Sequence, residues 1–177
     1  MSDGVLAPLV GLLERHPALD DLLARRSPAV AVPQAAQPVV LAALADQSER
    51  RPIVVVVATT SDAERLTGDL AAYVGESGVA QLPAWETLPF ERVSPTVETM
   101  GQRSKVMSQL RRDDGPAIVV APIRALIQRV PPTVSEIAPL VIGVGDQIDP
   151  HDVIEHLVNW GYRRDAQVEH RGDVALR

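Results

Sequence analysis

Apolar residues recur at helical spacing over 5–14 (Val5, Leu9, Leu12, Leu13) and 19–26 (Leu19, Leu22, Leu23), so the chain should begin with two short amphipathic helices broken at His16-Pro17. Ser27-Pro28 stops the second, and residues 29–32 form an apolar run that fits a buried strand. Pro38 suits the first turn of a following helix, with Val39, Val40, Leu41 and Leu44 facing inward. Residues 53–58 read Ile-Val-Val-Val-Val-Ala with no polar alternation, the pattern of a central strand covered on both faces in a parallel sheet. Thr59, Thr60, Ser61 and Asp62 are N-cap candidates for a helix over 63–74, whose Leu66, Leu70 and Tyr73 share a face and which Gly75 ends.

A short edge strand is expected over 79–82, then a loop, then a helix opened by Ser94-Pro95 that buries Val97, Met100, Met107 and Leu110. Residues 117–121 form another buried strand, and 123–130 a short helix that Pro131-Pro132 stops. This β-α order predicts an α/β fold: a parallel sheet with helices on both faces. Beyond Pro132 the pattern changes. A strand is predicted over 140–144, and a helix opened by Asp149-Pro150 carries Val153, Ile154 and Leu157 inward before Gly161 closes it. Residues 162–177 alternate like a hairpin around Arg171-Gly172-Asp173. A hairpin ending on an unpaired strand implies that the natural polypeptide continues. The pattern therefore divides into an N-terminal helical segment (1–28), an α/β domain (29–132) and the truncated start of a small α+β domain (133–177).

Composition narrows the chemistry. Of 177 residues 46% are hydrophobic but only 3% aromatic, so Val, Leu, Ile and Ala must fill the core. A net charge of −6 disfavours a free-standing binder that tracks a nucleic-acid backbone. There is no cysteine, which excludes disulfides, zinc–cysteine sites and thiol catalysis. Asp3, Pro8, Gly11 and Glu14 interrupt the N-terminal apolar run, making it a poor signal peptide, and no stretch is long enough for a membrane span. A cytoplasmic location without membrane contact is the expectation.

A phosphate loop after the first strand would need glycines and a lysine. That slot holds Pro33, Gln34, Ala35, Ala36, Gln37 and Pro38, and the only lysine, Lys105, lies far along the chain. ATP binding of P-loop type is therefore not expected, and no other cofactor is implied. Gly143-Val144-Gly145 lacks the third glycine of a dinucleotide fingerprint, Ile148 standing in its place. His151 and His156 lie about 140° apart around a helix, too far for a shared metal. No catalytic residues and no metal ligands emerge.

Two stretches stand out. Pro83, Pro89 and Pro95 force an extended or irregular path on the loop after residue 81, yet it carries Trp85 and Phe90. Those rings are either a plug against the sheet edge or a platform for a stacked ligand such as a base. Near the C-terminus, Arg163, Arg164, Arg171 and Arg177 gather beside Tyr162 and Trp160. This is the composition of an interaction hot spot, or of a solvated face whose arginines pair with Asp165, Glu169 and Asp173.

The order of motifs resembles the N-terminal, UvrB-like module of the bacterial transcription-repair coupling factors (Mfd). The matching residues are Leu82-Pro83-Ala84-Trp85-Glu86-Thr87-Leu88-Pro89-Phe90 with Ser94-Pro95, then Ile118-Val119-Val120-Ala121-Pro122-Ile123-Arg124-Ala125-Leu126, Arg129-Val130-Pro131-Pro132, and Gly161-Tyr162-Arg163-Arg164 leading to Gly172-Asp173-Val174-Ala175-Leu176-Arg177. The resemblance implies that 29–132 is a degenerate RecA-like domain of UvrB type and that 133–177 begins the domain that grips UvrA. It further implies a non-catalytic fragment that recruits UvrA in nucleotide excision repair and restrains a parent ATP-dependent DNA translocase. ATP, Mg, RNA polymerase and DNA would be engaged by regions of the parent outside this chain. The resemblance also implies that Arg164 and Arg177, with Arg163 as neighbour, stand at the positions that face acidic groups on UvrA, while Trp85, Phe90 and Pro95 are expected to be structural. Two departures are present: the chain ends at Arg177, where the family continues, and Ala166 and Val174 replace polar and aromatic residues. The other class in view is an active helicase-type nucleotide-binding or DNA-binding half-domain, which the phosphate-loop slot disfavours.

Overall fold

A computed structural model describes residues 4–14, 16–87, 95–130, 140–170 and 172–176. Its centre is a parallel three-stranded sheet in the order β1-β3-β2, built from β1 (Ile53–Val57), β2 (Val79–Gln81) and β3 (Ile118–Pro122). β3 lies in the middle with every residue buried. Successive side chains point to opposite faces, so β3 feeds two cores. Ile118 and Val120 join Val79, Ala45, Ala63, Leu66 and Leu70 on one face, while Val119 and Ala121 join Ala80, Leu82, Val106 and Ala125 on the other.

Helices α3 (Gln37–Gln47) and α4 (Thr60–Val74) cover the first face, and α5 (Val97–Gln109) and α6 (Ile123–Ile127) the second. The N-terminal elements α1 (Ala7–Val10), a following 3₁₀ turn (Gly11–Leu13) and α2 (Pro17–Ala24) pack outside α3 and α4 through Val10 and Leu19. Capping sets the α4 boundaries. The Thr59 hydroxyl accepts the Asp62 N–H at 3.1 Å, and Gly75 leaves the helix with φ +79° while its N–H donates to Ala71 O.

Five expectations change. The 53–58 run is not a central strand: β1 pairs only with β3, and among the described residues no strand occupies its other side. Its Val54 and Val56 remain about half exposed (52% and 49%), because α5 and α6 cover only the β2–β3 side of that face. An unbroken apolar run does not distinguish a central strand from an edge strand. Residues 29–32 are extended but join no sheet, and all but Val32 are exposed. Residues 140–144 likewise form no strand and are exposed, since no partner strand lies beside them among the described residues.

The fourth change concerns α5, which starts at Val97 with Thr96 as its N-cap, not with a Ser94-Pro95 pair. It buries Thr99, Arg103 and Val106, while Val97, Met100 and Leu110 stay exposed. The buried stripe is rotated from the predicted one because an arginine, not an aliphatic residue, is its central member.

The C-terminal part carries one helix and a separate two-stranded sheet. Helix α7 (Pro150–Asn159) is capped by Asp149, whose carboxylate accepts the His151 N–H at 2.8 Å, and buries Ile154. It leads through Gly161 at φ +95° into a two-residue pair, β4 (Arg163–Arg164) with β5 (Asp173–Val174). That pair is parallel, so 162–176 is not the expected hairpin. The Arg163 N–H donates to Gly172 O and the Asp165 N–H to Val174 O, a register that only parallel strands make. Eight intervening residues let the chain loop back and approach in the same direction. The division points at 28/29 and 132/133 are not set by these contacts, and Pro131, Pro132 and residue 133 lie outside the described residues.

Candidate functional site

The loop after β2 leaves the sheet at the carboxyl ends of β2 and β3, and besides the Leu82 N–H bond to Val120 O three side-chain attachments hold its described part, residues 82–87. Trp85 is held through its main chain: its N–H donates to Gln128 Oε1 at 2.7 Å, and its carbonyl accepts the Gln128 amide and the Arg124 guanidinium, each at 3.4 Å. The Gln128 amide thereby acts as a one-residue strand partner.

Its indole ring lies over the guanidinium of Arg103, 4.4 Å from ring centroid to Cζ. Arg103 is 2% exposed, and it donates to Pro83 O at 2.5 Å and more loosely to Ala125 O at 3.5 Å. No carboxylate faces it among the described residues, and its Nε is buried without a partner. Burial lowers its pKa, but a guanidinium still carries its charge at neutral pH. The charge is met by carbonyl dipoles and the π-face of Trp85.

The third attachment is Glu86. Its carboxylate accepts the hydroxyls of Thr99 and of Thr96, the latter at 2.8 Å, while Thr96 Oγ1 caps α5 by accepting the Thr99 N–H at 3.2 Å. The Thr99 hydroxyl is the main cause of a Glu86 pKa below the ordinary carboxylate value. An anion at a helix N-terminus is also favoured by the helix dipole. Together these contacts engage the Trp85 main chain and one face of its ring. Pro95 lies just before the Thr96 cap; Phe90 lies outside the described residues.

The phosphate-loop slot is closed on itself. Gln34–Ala36 is a 3₁₀ turn in which the Ala36 N–H donates to Pro33 O at 2.8 Å and the Gln37 N–H to Gln34 O. Pro33 and Pro38 have no N–H, and Pro38 is buried in the first turn of α3. Few donors remain to cradle a phosphate. Among the described residues no group of three or more His, Cys, Asp or Glu is arranged to hold a metal, and no helix is long and apolar enough to cross a membrane.

At the C-terminal unit, β4 projects Arg163 and Arg164 to opposite sides. Arg163 is engaged: it pairs with Asp173 at 3.2 Å and approaches Asp165 at 3.8 Å. Asp173 also accepts the His170 N–H at 3.0 Å, and that bond, ahead of the Arg163 charge, lowers its pKa. Arg164 is exposed, and among the described residues no carboxylate pairs with it. Trp160 and Tyr162 are nearby in sequence and also surface-exposed, 38% and 41%, with the Trp160 ring edge-on to His156 at 4.2 Å between centroids. Arg171 and Arg177 lie outside the described residues. The two readings of the basic cluster therefore divide between neighbours, Arg163 serving the fold and Arg164 facing outward.

Sequence reasoning missed Arg103, Gln128 and Glu86 as the residues that place Trp85. The available signal was Arg103 lying four residues after Thr99 and three before Val106, a cation in line with a helix stripe.

Comparison with known proteins gives a consistent match. No protein-family model matches the chain. The transcription-repair-coupling factors of Mycobacterium bovis and Mycobacterium tuberculosis are each 36% identical to it over 187 aligned residues, covering 99% of this chain. That of Bacillus subtilis is 30% identical over 80% of this chain. The chain spans 15%, 15% and 12% of the lengths of these three relatives.

Proposed function

The chain belongs to the transcription-repair-coupling factor family, and from that premise we propose that it is a non-catalytic adaptor module within a larger coupling factor. In this reading 29–132 is a degenerate RecA-like domain of UvrB type and 133–177 starts the domain that engages UvrA. The module brings UvrA to stalled transcription complexes for nucleotide excision repair, and contacts with other domains restrain the parent translocase. ATP, Mg, DNA and RNA polymerase are handled elsewhere in the parent, and the setting is the cytoplasm.

The observation that carries the proposal is the division of labour at β4. Arg163 is occupied by Asp173, whereas Arg164 has no carboxylate partner among the described residues and is followed closely in sequence by further exposed polar positions. An arginine without a carboxylate partner among the described residues, close in sequence to exposed aromatic side chains, is suited to an acidic protein surface. The closed slot at Pro33–Pro38 supports the non-catalytic part of the reading.

The test is a titration of UvrA with the whole N-terminal module carrying Arg164→Glu or Arg163→Glu. Arg164→Glu is expected to weaken binding by about 2–5 kcal/mol, the range for a desolvated charged contact, with an unchanged circular dichroism spectrum. Arg163→Glu is expected to loosen the β4–β5 pair. Wild-type affinity in folded Arg164→Glu protein would remove Arg164 from the interface.

A further inference from the structure

The amino ends of the sheet carry two arginines that the fold leaves unused, and we propose that they form a docking pocket for an acidic peptide segment of a protein partner. β1 and β3 run parallel with Ile53 opposite Ile118, and the Ile53 N–H donates to Ala117 O at 2.9 Å, so the segments that enter the two strands lie side by side. The turn from α5 into β3 is tight. Its Arg111 N–H donates to Ser108 O at 3.2 Å, the Arg112 N–H to Gln109 O at 3.1 Å and the Gly115 N–H to Arg112 O at 3.1 Å. A Cβ at Gly115 would stand 2.4 Å from Gln109 O, so glycine is what lets the chain fold back this closely. That turn sets Arg111 and Arg112 against the same cavity as Arg51, which precedes β1.

The cavity is open, about 490 Å³ in volume, and Pro52, Leu110 and Asp113 also line it. Its three arginines are not equivalent. Arg112 is held in a fork by Asp114, Nε to Oδ1 and Nη2 to Oδ2 at 2.7 Å each. The side chains of Arg51 and Arg111 make no hydrogen bond or ion pair with any described residue. Cations after a helix C-terminus offset the helix dipole, which accounts for Arg111 and Arg112 but not for Arg51. The Arg112–Asp114 fork shows how a carboxylate is held here, and Arg51 and Arg111 offer the same bidentate chemistry to a carboxylate from outside. A nucleic-acid backbone carries charge continuously. It would bring phosphates against Asp113 and Asp114, and against Asp46 in an adjoining cavity of about 260 Å³ that shares Arg51, Asp114 and Gly115. A peptide instead places single carboxylates on the free arginines and apolar groups on Pro52 and Leu110, the latter 37% exposed. The pocket uses none of the residues of the UvrA reading, so either can fail alone.

The test is a titration of the nitrogen-15-labelled 177-residue chain with hexaglutamate, followed by nuclear magnetic resonance. The Nε–H signals of Arg51 and Arg111 and the amides of 109–115 should shift first and saturate together. Arg51→Gln combined with Arg111→Gln, both at exposed positions, should weaken binding on the order of 10-fold or more while leaving the circular dichroism spectrum unchanged. Shifts spread evenly over the other exposed arginines, or unchanged affinity in the folded double variant, would overturn the pocket. Hexathymidylate binding more tightly than hexaglutamate at the same residues would overturn the peptide in favour of a nucleic acid. Self-association of the chain that the double variant loses would overturn it in favour of a second copy. The shift map needs no substitution and stands if the double variant misfolds.

Discussion

Replacing Arg103 with alanine removes the residue that ties the post-β2 loop to both α5 and α6. The guanidinium donates to Pro83 O at 2.5 Å and to Ala125 O at 3.5 Å and supports the Trp85 ring at 4.4 Å. The shorter bond involves a charged donor and counts for about 1.5–3 kcal/mol, while the long one adds little. A partly buried cation–π contact adds about 1–2 kcal/mol. Truncation also leaves a void beneath the indole, a loss that adds to these. Against this stands relief from holding a guanidinium with an unpaired Nε away from water, a real offset for a buried charge. The net expectation is a loss of about 2–4 kcal/mol, in the upper range for single substitutions. Urea unfolding followed by far-ultraviolet circular dichroism measures it. Arg103→Met fills the void without donating, so it should fall between wild type and Arg103→Ala. A double-mutant cycle with Trp85→Ala should give a coupling of about 1 kcal/mol, as for residues in direct contact. A loss below about 1 kcal/mol for Arg103→Ala, or a coupling near zero, would refute the assignment of Arg103 as the anchor of the loop.

The Glu86 carboxyl has a folded pKa below its unfolded value of about 4.3, so its contribution is complete above that value and disappears as pH falls through the folded pKa. Melting temperatures measured from pH 7 to pH 3 should therefore drop more steeply for wild type than for Glu86→Gln on the acid side, and parallel curves would show that the Thr96–Thr99 contacts carry no stability. Gly75→Ala forces a side chain onto φ +79° and should cost about 1–2 kcal/mol in the same urea assay, an unchanged midpoint contradicting the turn geometry. Isothermal titration with Mg-ATP should give no heat beyond dilution, and saturable micromolar binding would overturn the non-catalytic reading.

Much of the architecture is legible in local sequence. Thr59 and Gly75 delimit α4, Asp149 and Gly161 delimit α7, and the β-α order through residue 127 yields the parallel sheet. Caps and turn glycines act within a few residues, so their signal survives without tertiary information. The misreadings share another cause. Residues 53–57 are equally apolar whether a strand is central or at an edge, and residues 29–32 and 140–144 carry strand patterns without partner strands among the described residues.

Side-chain roles divide in the same way. Sequence alone marks Trp85 as unusual in a chain with 3% aromatic residues, marks the arginines after Tyr162, and shows that the slot at Pro33–Pro38 lacks glycine and lysine. Only the tertiary structure places Arg103 beneath Trp85, pairs Gln128 with the Trp85 main chain across 43 residues, and engages Arg163 while leaving Arg164 outward. Periodicity records how much of each segment leaves water. Which partner a buried polar group finds depends on distances that the folded chain sets, and a guanidinium stabilised by two carbonyls and a ring has no local sequence signature.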